Sequence, residues 1–196
     1  MLRFEVAKET PMVTGIYLLV ALLALFVVVY GAFRLSRGVR AYLKFRGKRL
    51  VTCPETQRPA AVEVDSKHTA LEAVVGEPHL RLSECSRWPE RQDCGQQCLK
   101  QIELAPEDCL VKTIMTQWYV GKTCAYCGKV IHEVEWLGHK PGLMNPEHKT
   151  VYWDAVTAEK LPEVFSTHAP VCWDCHIAQT LRREHPDLIV DRPWRR

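Results

Sequence analysis

The chain is 196 residues long, carries nine cysteines and has a formal net charge of +3, a size that holds one membrane anchor and one or two small soluble modules. An odd number of cysteines excludes an intramolecular framework in which every thiol is paired. Seven of the 26 basic residues lie between Arg34 and Arg49 and two precede the apolar stretch, leaving 17 against 21 acidic ones; a mildly acidic soluble region argues against nucleic-acid binding, which needs a basic face.

Residues 1–11 are expected to be a short non-cytoplasmic N-terminus. From Thr10 to Phe33 there is no charged side chain, and Met12 to Val29 is nearly all Val, Leu, Ala, Ile, Phe and Tyr. A run of about 20 apolar residues matches the hydrocarbon core of a bilayer as a helix, so a transmembrane helix is predicted over 12–33. Pro11 stands at its start, where a missing N–H costs nothing, and Tyr17 and Tyr30 lie near its ends as interfacial anchors do. A cleavable signal peptide has a shorter apolar region and a small-residue cleavage site. Here the run passes through Tyr30, Gly31, Ala32 and Phe33 straight into a basic block. A buried core helix would need a second apolar element of matching length, and the sequence has none.

Residues 34–50 form that block: Arg34, Arg37, Arg40, Lys44, Arg46, Lys48 and Arg49 with no acidic residue among them. Positive flanks stay in the cytoplasm, so the N-terminus is expected outside and everything after Arg34 inside. Leu35, Val39, Tyr42, Leu43 and Phe45 thread through the basic residues, as in an amphipathic extension lying on anionic lipid. A plain stop-transfer signal is the simpler reading, with lipid contact as its by-product.

Residues 51–119 make a cysteine-containing module. Ala61 to Val64 reads as a strand, Thr69 to Val75 as a short helix stopped by Gly76 and Pro78, and His79 to Leu82 as a strand. Cys85 to Gly95 is polar loop, Cys98 to Leu104 is helical, and a helix is expected from Pro106 to Gly121, with Leu110, Val111, Ile114, Met115 and Trp118 at helical spacing. Residues 120–196 form the last module. Val130 to Trp136 alternates like a strand, Pro141 to His148 is turn-rich, and Val151 to Trp153 is a returning strand. Thr157 caps a short helix to Val164, and Trp173 to Glu184 is a helix ended by Pro186. Pro193 to Arg196 is a basic tail.

Two C-x-x-C pairs carry the chemistry: Cys124 with Cys127, followed by Gly128, and Cys172 with Cys175, followed by His176. Each presents two thiolates from one tight turn, and two such turns facing each other make the tetrahedral four-sulfur site of structural zinc. Gly128 suits a turn that needs a positive φ. A C-x-x-C opening a helix is also favourable, because a helix N-terminus stabilises the thiolate. The order of knuckle, strand, loop, strand and C-x-x-C at a helix start resembles treble-clef and zinc-ribbon modules, over roughly the last 75 residues. The resemblance implies an α+β fold with a structural metal and an inserted loop.

Cys53, Cys85, Cys94 and Cys98 form a second, less regular group, in which zinc fits varied spacing better than an iron–sulfur cluster does. Thr52 with Cys53 echoes Thr123 with Cys124, as tandem related modules would. Cys109, on the apolar side of a predicted helix, reads as a small core residue. Cys172, Cys175 and His176 also spell the attachment pattern of haem c, but haem is attached outside the cytoplasm, where the charge pattern does not put this segment. His132 and His139 could join a site, yet no H-E-x-x-H, nucleophile elbow or phosphate-binding loop occurs. The expectation is a membrane-anchored metal module that is not an enzyme and that binds a membrane-associated protein; a membrane-associated iron–sulfur electron carrier or sensor is the alternative.

Overall fold

A computed structural model of the chain describes residues 11–90 and 93–188. The expected N-terminal segment before Pro11 and the basic tail from Pro193 lie outside the described residues. The chain divides into two units. One takes in the chain to Phe45 and Asp65–Leu80, the other Arg46–Val64 and everything from Arg81.

The first unit is built on one helix, α1 (Pro11–Phe45), 35 residues without interruption. At 1.5 Å per residue it is about 52 Å long, more than the thickness of a hydrocarbon core. None of its apolar window is covered by protein, so it is long and apolar enough to cross a membrane. The helix continues past Phe33 through Arg34, Arg37, Arg40 and Lys44 to Phe45, while Arg46 follows it and Lys48 and Arg49 belong to the next strand.

Against that basic end packs α2 (Ser66–Val75), which starts where Asp65 accepts a hydrogen bond from the His68 N–H at 3.0 Å. Two observations show how closely the helices meet. A Cβ at Gly38 would come within 2.6 Å of Val74 Cγ2 and 3.0 Å of the Ala70 carbonyl oxygen. Arg34 donates to the carbonyls of Val74 and Val75, and Arg37 donates to that of Gly76 at 3.1 Å. These carbonyls end α2 and have no partner within their own helix, and a guanidinium there also complements the negative end of the helix dipole. Two arginines of the basic block are therefore helix caps.

The second unit holds two small antiparallel sheets. In the first, β1 (Lys48–Thr52), β2 (Pro59–Val64) and β3 (Leu82–Cys85) lie in the order β1-β2-β3. Two helices follow, α3 (Leu99–Leu104) and α4 (Val111–Tyr119). The second sheet has β4 (Gly142–Met144) at its centre, between β5 (Thr150–Val151) and β6 (Ala169–Val171). Then come 3-10 turns at Trp153–Ala155 and Ala158–Lys160, and the helices α5 (Leu161–Thr167) and α6 (Trp173–Glu184). Tyr119, Ile131, Leu143 and Val164 form the buried centre of the C-terminal part, with Trp118, Val134, Val151 and Trp153 packed on it. The Trp118 ring stacks on Phe165 at 5.0 Å, and the Tyr119 hydroxyl, fully buried, donates to the Gly142 carbonyl at 2.5 Å.

Several expectations shift. The strand placed at His79 to Leu82 runs instead from Leu82 to Cys85. The helix expected from Pro106 starts at Val111, because Glu107 to Leu110 are held in a turn whose Cys109 carbonyl accepts from Leu50 at 2.8 Å. Val130 to Trp136 is not a strand. Pairing stops at its start, where Val130 bridges Thr123 and the Ile131 N–H and C=O bond Lys122 and Gly121; beyond Ile131 no strand among the described residues meets the alternating run. Its apolar side is used all the same, Val134 packing on the core and the Trp136 indole N–H donating to Thr116 Oγ1 at 2.9 Å. The turn-rich stretch after Pro141 hides the central strand β4. Thr157 makes no side-chain cap.

Candidate metal centre

The first C-x-x-C sits on a tight turn. The Cys124 N–H donates to the Lys129 carbonyl at 2.8 Å and the Gly128 N–H returns to the Cys124 carbonyl at 3.0 Å. Thr123 and Val130 bridge as an antiparallel pair beneath it. Gly128 has φ +69°, a conformation glycine adopts without steric cost. The Ala125 N–H donates to the Pro170 carbonyl at 2.9 Å and ties this turn to β6. Strand β6 delivers Cys172, which stands at the N-cap of α6 in an extended conformation and leaves Cys175 in the first helical turn.

The ligand atoms of Cys124, Cys127, Cys172 and Cys175 all lie within 4.8 Å of one another. Cys127 Sγ and Cys172 Sγ are 3.8 Å apart. Four sulfurs at the tetrahedral corners of a site with metal–sulfur bonds near 2.3 Å are separated by about 3.8 Å, so the four cysteines are close enough to hold a metal ion. The Cys172 N–H donates to Cys124 Sγ at 3.3 Å. Burial pushes the Cys124 thiol up, but N–H groups from Cys127, Cys172 and Tyr126 outweigh it and bring the pKa to about 7. Cys172 and Cys175 are held above the usual thiol range, first by burial and then by neighbouring sulfurs. Four thiolates this close repel, and a bound cation removes the repulsion. Cys124 is buried and Cys127 exposed, so the site is open on one side.

His176, next to Cys175, is 1% exposed, and neither ring nitrogen has a hydrogen-bond partner among the described residues. Its ring lies edge-on to Tyr152 at 4.3 Å and directly against Gly142, where a Cβ would collide with it. The glycine is needed for this approach, a requirement that no local pattern around residue 142 announces. Cys172 and Cys175 join the sulfur cluster, and the His176 imidazole packs against β4 and Tyr152. His139 pairs with Glu135 at 2.8 Å and is largely exposed, and His132 is exposed too. Neither belongs to the four-sulfur cluster.

Cys53, Cys85, Cys94 and Cys98 come together less tightly, around one small cavity beside β2. Cys109 stays apart from both groups, half-buried in the turn before α4, where burial raises its pKa.

No protein-family model matches this chain, and no curated protein or solved structure is significantly similar to it. Its functional reading rests on the geometry.

Proposed function

We propose that the chain is a single-pass membrane-anchored module whose C-terminal part is clamped by a structural zinc ion and docks a second membrane-associated protein. The observation that carries this reading is the convergence of four cysteine sulfurs from two turns far apart in sequence. A core centred on four buried side chains is small, and small modules of this kind draw folding energy from a metal. A C-x-x-C turn, short antiparallel strands and a second C-x-x-C opening α6 support a treble-clef-like arrangement. The basic block after the span supports an orientation with residues beyond Arg34 in the cytoplasm, where free thiols persist to bind metal.

Docking is supported by a cleft of about 1010 Å³ within the second unit. Trp88, Met115, Trp153 and Val156 give it apolar walls, while Glu63, Glu84, Asp154 and Glu159 make its lining acidic against Lys48 alone. Its occupant would be a basic, amphipathic peptide segment of the partner, apolar on one side and rich in Lys or Arg on the other.

The test is zinc analysis of the full chain in detergent, followed by chelation and by Cys172→Ser. Removal of metal should erase the hydrogen-exchange protection of α6 and of the second sheet while α1 and α2 keep theirs. A metal-free chain or a C172S variant as protected as the loaded protein would sink the structural-zinc reading. A photo-crosslinker at Trp88 should join one membrane protein, and charge reversal at Glu84 and Glu159 should abolish the product. Labelling that charge reversal leaves unchanged would remove the cleft as the docking face.

A further inference from the structure

We propose that Cys53, Cys85, Cys94 and Cys98 hold a second metal ion, one tetrahedral divalent ion of the zinc class, beneath a turn that copies the first C-x-x-C knuckle. The inference is independent of the C-terminal site.

The copy is visible bond by bond. The Cys53 N–H donates to the Arg58 carbonyl at 2.9 Å and the Gln57 N–H returns to the Cys53 carbonyl at 2.8 Å. These are the bonds that Cys124 makes with Lys129 and Gly128 at 2.8 and 3.0 Å. Thr52 pairs with Pro59 as Thr123 pairs with Val130. Gln57 takes φ +55° where Gly128 takes +69°. A side chain held in the left-handed region is uncommon and persists where its surroundings over-determine it. Thr56 occupies the position of Cys127, so this turn offers a single thiol and the other three ligands must come from elsewhere.

They do. Cys85 ends β3, paired with Val62 of β2. Cys94 accepts a hydrogen bond from the Gln96 N–H at 3.4 Å. Gln96 is itself at φ +53°, and its side-chain carbonyl accepts from the Leu82 N–H at 2.9 Å, tying the Cys94 loop to the strand that carries Cys85. Cys98 stands directly before α3 and is buried. All four line one cavity of about 30 Å³ walled by Val51, Val62 and Trp88. That exceeds the roughly 10–15 Å³ that one water-sized probe needs, so there is room for an ion among the four thiols. Burial, followed by the proximity of Cys94, Cys85 and Cys53, pushes the Cys98 thiol up to about 11. Four thiols against an apolar wall are what a soft cation relieves.

Cobalt(II) titration of the reduced full chain in detergent tests the site. The visible absorption of tetrathiolate cobalt should rise linearly to two equivalents per chain. Cys94→Ala/Cys98→Ala should halve the plateau, and Cys124→Ala/Cys172→Ala should remove the other half. The cobalt that each double variant retains is its own control for folding. A plateau of one equivalent that C94A/C98A abolishes supports this site and instead removes the metal from the C-terminal one. A plateau that C94A/C98A leaves unchanged overturns the proposal. So does native protein that carries iron with sulfide, or a Cys85–Cys94 disulfide found by mass spectrometry.

Discussion

Gly142→Ala perturbs the packing behind the C-terminal four-cysteine cluster without touching any of the four cysteines. The added methyl would meet the His176 ring and lie 2.9 Å from its Cβ, so either the imidazole leaves a site where it is 1% exposed or the central strand shifts. Overpacking of a rigid site costs 1–3 kcal/mol. With backbone on one side and an enclosed ring on the other, we take the upper end, about 3 kcal/mol, which lowers Tm by roughly 12–24 °C in a small domain. His176→Ala alone opens a void of the size made by other large-to-small core changes, at about 2 kcal/mol, the low end because neither ring nitrogen has a partner to lose among the described residues. The two changes are complementary in shape. The double variant should therefore be better than the sum by at least about 1.5 kcal/mol, since the new methyl fills part of the space left by the ring. Thermal unfolding of the four zinc-loaded proteins, read by near-UV circular dichroism, measures the cycle. Additivity within about 0.5 kcal/mol would refute the claim that Gly142 exists to admit His176.

The same kind of contact makes a second position sensitive. Gly38→Val should drive α2 off α1, because Val74 and the Ala70 carbonyl already fill the space. A ten-residue helix does not hold itself in water, so the amides of residues 66–75 should exchange at least about tenfold faster; unchanged protection would mean that α2 is held by something else. Metal loading should depend on pH in one direction. Cys124 sheds its proton near 7, while Cys172 and Cys175 keep theirs above the usual thiol range. Zinc must displace those protons, so apparent affinity should rise through pH 6–8 by up to two or three decades per unit, and a flat profile would rule out thiol ligation.

The sequence makes the four-cysteine cluster legible because C-x-x-C is a local constraint: two residues three apart on a turn must point one way, and a second pair can complete a tetrahedron. Helix α6 is legible from Trp173 to Glu184 for the same local reason. What depended on distant partners was not. Pro141 and Gly142 look like turn residues, yet Gly142 is a strand residue made necessary by an imidazole 34 positions later. Val130 to Trp136 has the alternation of a strand but meets no neighbouring strand beyond Ile131. Arg34 and Arg37 show their charge in the sequence, while the carbonyls they cap belong to a helix some 40 residues on. The kinship of the two knuckles was faint because it lies in backbone geometry, and Gln57 does not advertise a positive φ as Gly128 does.

The unequal exposure of Cys124 and Cys127 gives a metal held there an order of departure. An incoming thiol, chelator or peroxide reaches the Cys127 sulfur first, because that ligand alone of the four is exposed. Cys124, buried and fixed by three backbone N–H groups, is the last to let go. Exchange would then start at one rim, while Cys124, Cys172 and Cys175 are the less exposed ligands that would hold the ion longer. Oxidative damage would begin at the same rim, and early reduction could reverse it before the buried ligand is reached.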